Sequence, residues 1–393
     1  MSEPSRHPLP DPPDYQGGSL ANLMSSLITG LGGTPSPSLP PLRLLPPDKI
    51  SGHRHAVLVV VDGLGDEFLK SQPAPFLNTH RRGAIHSVFP TTTATGVTTV
   101  LTGDAPAQHG LSGWYVHFRE LGSVLAVLPG TPRHGGVGYD RVNLDLKGIL
   151  GHRAIFDRIP GPAAMAAPEK IARTPYNKLH LGKAGLLPFK RLEDMVNRVD
   201  TAIRGRAGAR YVYAYWSELD TLGHHHGPDS RQTRDQLARV DEALARLARR
   251  LAGTDTLLVV TADHGMVDVL QRLDLSAYPE ISRCLALPLC GEPRVAWAYV
   301  RHGYHEVFQQ RVEAELGHAC TVLPSRDLLE QGWFGPGVPH PELEARIGDF
   351  ALIMHPGWII HDRIPGQKPH DMVGVHGGLD PRELYIPLAR TVC

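Results

Sequence analysis

HAVLVVVDG, residues 55–63, places Asp62 and Gly63 directly after six consecutive apolar residues, four of them valine. An unbroken apolar, β-branched run of this length suits a strand buried on both faces of a parallel sheet. Two more runs have the same character, YVYAYW at 211–216 and TLLVV at 256–260, and FALIMH at 350–355 is a fourth candidate. Between the second and third, Leu237, Val240, Leu244, Leu247 and Leu251 recur at steps of three and four, the stripe of an amphipathic helix. Asp229 with Gln232 suits a capping box at its start, and Gly253 is placed to end it. Strand, helix, strand in this order is a βαβ unit. The expected fold is therefore α/β, a three-layer α/β/α sandwich around a mostly parallel central sheet.

Outside these runs the pattern weakens. Residues 1–50 are proline-rich, notably at 35–47, and read as a largely irregular arm with room for one short helix at 20–31. The catalytic domain is expected over 51–393. Two stretches fit the βαβ rhythm poorly, about 110–204 and about 271–345, and are read as cap regions inserted over the sheet. The second carries its own strand near 295–300 and a helix near 306–316.

Composition narrows the function classes. With 40 basic and 40 acidic residues the formal charge is +0, so no electrostatic case exists for a nucleic-acid or membrane-surface partner. The N-terminus has no basic segment leading into an apolar one, and no apolar run is long enough to span a bilayer. Cys284, Cys290, Cys320 and Cys393 lack metal-site spacing and read as reduced thiols. A cytoplasmic protein is expected, its oligomeric state left open.

In open α/β sheets, ligands bind beyond the carboxyl ends of the strands. Asp62 follows the first run, Asp220 and His224 follow the second, and Asp263 and His264 follow the third, with His376 near the C-terminus. Each piece alone suits a turn or a helix start. Their convergence at the ends of sheet strands is what points to a site. Asp220 and His224 stand four apart, one face of a helical turn. Three Asp carboxylates and three imidazoles suit two divalent ions, zinc first and manganese second. His225 and His226 read as solvent-facing neighbours.

A nucleophile has to come from elsewhere. FPTTTATG, 89–96, leads into an apolar and helical stretch at 97–101. A hydroxyl at a helix N-terminus faces unpaired N–H groups and the positive dipole end, which favour a phosphoryl group, although N-capping would also use a threonine there. Such a hydroxyl needs a metal or a base to take its proton.

In order, Asp62-Gly63, Phe89-Pro90-x-x-Thr93, Asp220-x-x-Gly223-His224-x-x-Gly227-Pro228, Asp263-His264-Gly265 and His376-Gly377 resemble the motifs of the type I phosphodiesterase/nucleotide pyrophosphatase family, within the alkaline phosphatase superfamily. The resemblance implies an alkaline-phosphatase-like fold, with one metal on Asp220, His224 and His376 and another on Asp62, Asp263 and His264. It makes Thr93 the nucleophile, bridging toward the metals, and implies a phosphothreonine intermediate that a metal-activated water then hydrolyses. The substrate would be a small phosphate ester or nucleotide, cleaved at a phosphodiester or pyrophosphate bond.

The sequence departs from the family at Gly96, where well-known members carry an asparagine that helps bind a phosphate oxygen. That task passes to backbone N–H groups, Thr95 or a residue of an inserted region, and Thr95 and Gly96 are the named candidate substrate-binding residues. The tail His376-Gly377-Gly378-Leu379 also resembles cofactor-independent phosphoglycerate mutases, but those use a serine nucleophile. Trp114, Tyr115, Phe118 and Tyr176 are candidates for an apolar slot holding a nucleobase or aryl group. The alternatives are a phosphomonoesterase or phosphonate hydrolase on the same site, and a non-catalytic protein that binds a phosphorylated ligand.

Overall fold

The His55–Val61 run is the middle strand of a seven-stranded sheet. In the computed structural model, which describes residues 9–138, 141–142, 144–205, 208–362, 364 and 371–393, it pairs in parallel with Tyr211–Trp216 on one side and Thr256–Thr261 on the other. All three strands are buried along their whole length, as their unbroken apolar sequences require. Ala163–Pro168 and Gly185–Phe189 extend the sheet in parallel beyond Tyr211–Trp216. On the far side Tyr385–Val392 pairs antiparallel with Thr256–Thr261 and with Arg81–His86. The fold is thus mostly parallel α/β, as expected.

Helices cover the sheet. Arg231–Leu251 carries the predicted stripe and packs against Leu192–Arg204, which itself lies on the Ala163–Pro168 and Tyr211–Trp216 strands. Its N-cap is Ser230, whose side chain accepts from Thr233 N, and not the expected Asp229 with Gln232. A second pair, Leu20–Gly30 and Thr93–Thr102, packs together elsewhere in the same hydrophobic core.

The N-terminal stretch belongs to that core. Leu20, Leu23 and Leu27 have no exposed surface, and Leu39, Leu42 and Leu45 are buried with them. Tyr15 donates from its hydroxyl to Trp333 O at 3.0 Å. Prolines surround Leu39, Leu42 and Leu45, and the segment is irregular at 31–47 yet packed through these three residues.

A second seven-stranded sheet, antiparallel throughout, runs Cys320–Pro324, Phe350–Met354, Val295–Ala298, Cys290–Gly291, Tyr115–Phe118, Ser123–Ala126 and Thr131–Pro132. It unites strands from both stretches read as insertions. Two corrections follow. Residues 163–189, placed by the sequence in the first insertion, carry two strands of the central sheet. The 350–355 run belongs to the second sheet instead. Phe350, Leu352 and Met354 enter one apolar cluster while Ala351 and Ile353 enter another. Burial on both faces gave this antiparallel strand the sequence signature of a parallel one.

Candidate active site

Three adjacent strands end together. Val61 pairs with Trp216, and Val60 pairs with Thr261, so the residues that follow each strand emerge side by side. Asp62 comes directly after the first strand. Glu218–His226 forms a helix after the second and brings Asp220 and His224 to one face. Asp263 and His264 follow the third. Gly63 has φ +75°, and a Cβ there would lie 3.0 Å from the Asp220 Cα, so only glycine lets the two turns approach this closely. His376 arrives on the loop after Gly374–Val375, which pairs with Val267–Asp268.

Thr93 opens the Thr93–Thr102 helix, whose first N–H groups have no intrahelical partners. Its hydroxyl lies 3.0 Å from His264 Nε2. The neighbouring threonines are engaged elsewhere. Thr91 donates to Gly378 O at 2.8 Å, Thr92 to a Glu292 carboxylate oxygen, and Thr95 to Pro90 O at 2.8 Å. Thr92 sits at the N-cap position, but its side chain makes no capping bond.

Six of the predicted residues converge with Thr93. His264 Nε2 lies 3.4 Å from Asp62 Oδ1 and 3.7 Å from Asp263 Oδ2. Asp220 has one oxygen 3.3 Å from His224 Nε2 and the other 3.8 Å from His376 Nε2. Donor atoms of Asp62, Asp263 and His264 form one group close enough to share an ion, and those of Asp220, His264 and His376 form a second. His264 therefore reaches both groups, while His224 joins through Asp220.

The donor chemistry fits divalent cations. Asp62 Oδ1, Asp220 Oδ1 and Asp263 Oδ2 are buried without a hydrogen-bond partner. All three histidines turn Nδ1 to a backbone carbonyl, His224 to Gly374 O at 2.8 Å, His264 to Gly265 O at 3.0 Å and His376 to Thr91 O at 3.2 Å. Those bonds place a proton on Nδ1, so that each ring in its neutral form turns an Nε2 lone pair toward the carboxylates, the arrangement a metal-ligating imidazole needs. Tyr215 donates its hydroxyl to Asp62 Oδ2, leaving Oδ1 free.

Charge points the same way. Burial, then the charges of Asp220 and Asp263, pushes the Asp62 carboxyl well above the usual carboxylate range. Burial raises Asp263 too. Burial also works against Asp220, but its pairing with His224 outweighs it and holds Asp220 below the usual range. His224, depressed by burial, is pushed up by Asp220 to about 9. Burial drives His376 well below its ordinary value. Three carboxylates this close do not ionise together without positive charge between them, and a bound dication reverses that logic.

Of the remaining candidates, Trp114 and Tyr115 line a cavity of about 340 Å3 that also exposes Thr93, Asp220, His224 and His376. Phe118 and Tyr176 do not line it. Phe118 is core beneath the Arg346 guanidinium, and Tyr176 shares a hydrogen bond with Thr98 at 2.6 Å. Thr95 is fully buried on Pro90 O and turns no hydroxyl to the cavity. A Cβ at Gly96 would lie 2.8 Å from the Asp263 Cβ, so an asparagine does not fit there and the glycine is a packing requirement. The Thr95 hydroxyl and the Gly96 N–H, which donates to Thr92 O at 2.8 Å, are thus both engaged within the fold. Glu292, Arg133 and Arg272, which the sequence did not single out, line the cavity. Glu292 sits in a Gly-Glu-Pro turn, with no local pattern to mark it. Its carboxyl is pushed up by burial to about 7.

A sequence model of the type I phosphodiesterase / nucleotide pyrophosphatase family matches residues 56–379. The chain belongs to this family. Among curated members, human ectonucleotide pyrophosphatase/phosphodiesterase family member 5 is 25% identical over 192 residues, which cover 47% of this chain and 37% of that protein. Human member 7 is 38% identical over 65 residues, 16% of this chain and 14% of that one. The matched part thus spans well under half the length of these relatives. Structural likeness to the family reaches further. Murine ectonucleotide pyrophosphatase/phosphodiesterase 5 superposes with a TM-score of 0.66 at 19% identity, covering 85% of this chain and 87% of that one. Phosphonoacetate hydrolase from Sinorhizobium meliloti 1021, in complex with phosphonoformate, gives 0.62 at 18% identity, covering 86% and 90%. At these identities the likeness shows a shared fold. Among the described residues, no helix is long and apolar enough to cross a membrane.

Proposed function

We propose that this family member hydrolyses phosphodiester or pyrophosphate bonds of small-molecule esters, nucleotides among them, by two successive displacements through Thr93. The observation that carries this reading is the placement of Thr93 Oγ1 at a helix N-terminus, 3.0 Å from His264 Nε2 and on the wall of the cavity. In the first displacement Thr93 Oγ1 bonds to phosphorus as the bond to the leaving oxygen breaks, and the hydroxyl proton ends on that oxygen. In the second, water bonds to the same phosphorus and Thr93 departs with its proton restored. The N–H groups of the helix's first turn face the phosphoryl oxygens and favour their negative charge. Trp114 and Tyr115 offer apolar surface to the ester group.

Asp62, Asp263 and His264 would hold one divalent ion, and Asp220 with the two imidazoles at its oxygens, His224 and His376, another, with zinc favoured by the Asp/His donor set. When bound, such ions activate a hydroxyl nucleophile and offset charge on the attacking and leaving oxygens. A nucleotide substrate is supported by an inactive threonine-to-alanine variant of murine member 5 solved in complex with AMP, whose fold matches this chain with a TM-score of 0.64. A cytoplasmic setting is supported by four cysteines that stay free, three of them buried.

The test is hydrolysis of bis-p-nitrophenyl phosphate and p-nitrophenyl phosphate before and after chelation. Turnover of the diester should vanish on chelation and return with zinc. Turnover that persists in chelator would refute the metal requirement. A preference for the monoester would assign a phosphomonoesterase to the same site.

A further inference from the structure

Asp62, Asp220 and Asp263 are accounted for by the two candidate ligand groups, and Glu292 belongs to neither. It nonetheless lines the same cavity as Thr93, Asp220, His224 and His376 and is only 9% exposed. It enters from the second sheet, on the turn between Cys290–Gly291 and Val295–Ala298. Oε1 accepts both the Thr92 hydroxyl and the Trp114 backbone N–H, the latter at 2.8 Å. From the third side Gly377, next to His376, packs so closely that a Cβ there would lie 2.8 Å from the Glu292 Cβ. Glu292 is therefore pinned between the turn that carries Thr93, the aromatic wall and the loop that carries His376.

A carboxyl that takes two donors on one oxygen is held in the accepting role, which suits its ionised form. Once ionised, it holds a negative charge beside the place where the phosphoryl group must sit to meet Thr93. A phosphodiester brings one negative charge to that place, whereas a monoester above its second pKa of about 6 brings nearly two. Beside a carboxylate that is itself buried, repulsion grows with each charge the substrate adds.

We propose that Glu292 is a specificity residue, biasing the site toward singly charged phosphodiesters and against doubly charged monoesters. The proposal rests on the phosphoester reading above, and its test separates the two.

The experiment compares kcat/KM for bis-p-nitrophenyl phosphate and p-nitrophenyl phosphate on zinc-loaded wild type, Glu292→Gln and Glu292→Asp, at a pH of about 9 where a carboxyl and a monoester are both ionised. Gln keeps the shape and a carbonyl acceptor for Thr92 and Trp114 but removes the charge. Its diester-to-monoester ratio should fall about tenfold or more, through gain on the monoester. Asp retracts the group but keeps the charge and should hold the ratio near that of wild type. A role confined to holding Thr92 and Trp114 would lower both esters by one factor and leave the ratio unchanged, which would overturn the proposal. So would an equal collapse of the ratio in Asp and Gln. If Gln does not fold, Glu292→Ser removes the charge in its place, and a fallen diester-to-monoester ratio supports the proposal while an unchanged ratio overturns it. Absence of metal-dependent turnover of either ester by wild type would instead overturn the phosphoester reading itself.

Discussion

Thr93→Ala is expected to lower kcat/KM for bis-p-nitrophenyl phosphate by at least about a thousandfold, with metal content unchanged. The neighbouring hydroxyls point to different partners. Of the four threonines at 91–95, three donate to acceptors within the fold: Thr91 to Gly378 O, Thr92 to Glu292 and Thr95 to Pro90 O. Thr93 faces His264 Nε2 and the cavity. Alanine is a good helix former and preserves the helix start, so the loss is confined to the reacting oxygen. Thr93→Ser restores an oxygen at the same carbon and should recover a substantial part of the rate. Steady-state kinetics beside metal analysis of the purified variants checks both statements. Wild-type activity in Thr93→Ala would pass the role to another group.

The largest effect on stability is expected at Arg294. Its guanidinium is fully buried with Glu383, Nη2 to Oε2 at 2.9 Å, and also donates to His355 O and Trp358 O at 2.8 Å each. Glu383 in turn accepts the Gly378 N–H at 2.8 Å, two residues from His376. Removing one partner of a buried pair strands the other, a loss of about 3–5 kcal/mol. Arg294→Met should show that loss in urea denaturation and should also weaken zinc retention, because the loop carrying His376 loses its anchor. Arg382→Ala is the comparison. Its pair with Asp380 has the arginine 47% exposed, and such pairs contribute about 1 kcal/mol or less. Equal midpoints for the two variants would refute the anchoring role of Arg294.

The sequence revealed what is local and repeated. Unbroken apolar runs marked the three central strands, and the residues directly after them marked the site. What it concealed depends on long-range contact. The Phe350–Met354 strand lies between two apolar clusters in a different sheet, and no feature of five apolar residues distinguishes that setting from a parallel core. The proline-rich N-terminal stretch looked unattached because its buried leucines are isolated from one another in sequence. Gly96 was read through the asparagine other members carry, whereas its cause is the Asp263 Cβ across the turn. Glu292 meets Thr92 and Trp114 from about 200 residues away, a juxtaposition only the two-sheet architecture creates.

Double displacement at phosphorus through Thr93 fixes the stereochemical course of the reaction. A phosphorothioate diester chiral at phosphorus would be hydrolysed by the zinc-loaded enzyme in water labelled with heavy oxygen. Two in-line displacements invert the centre twice, so net retention of configuration is expected. Net inversion would mean that water attacks phosphorus directly and would contradict a covalent intermediate on Thr93.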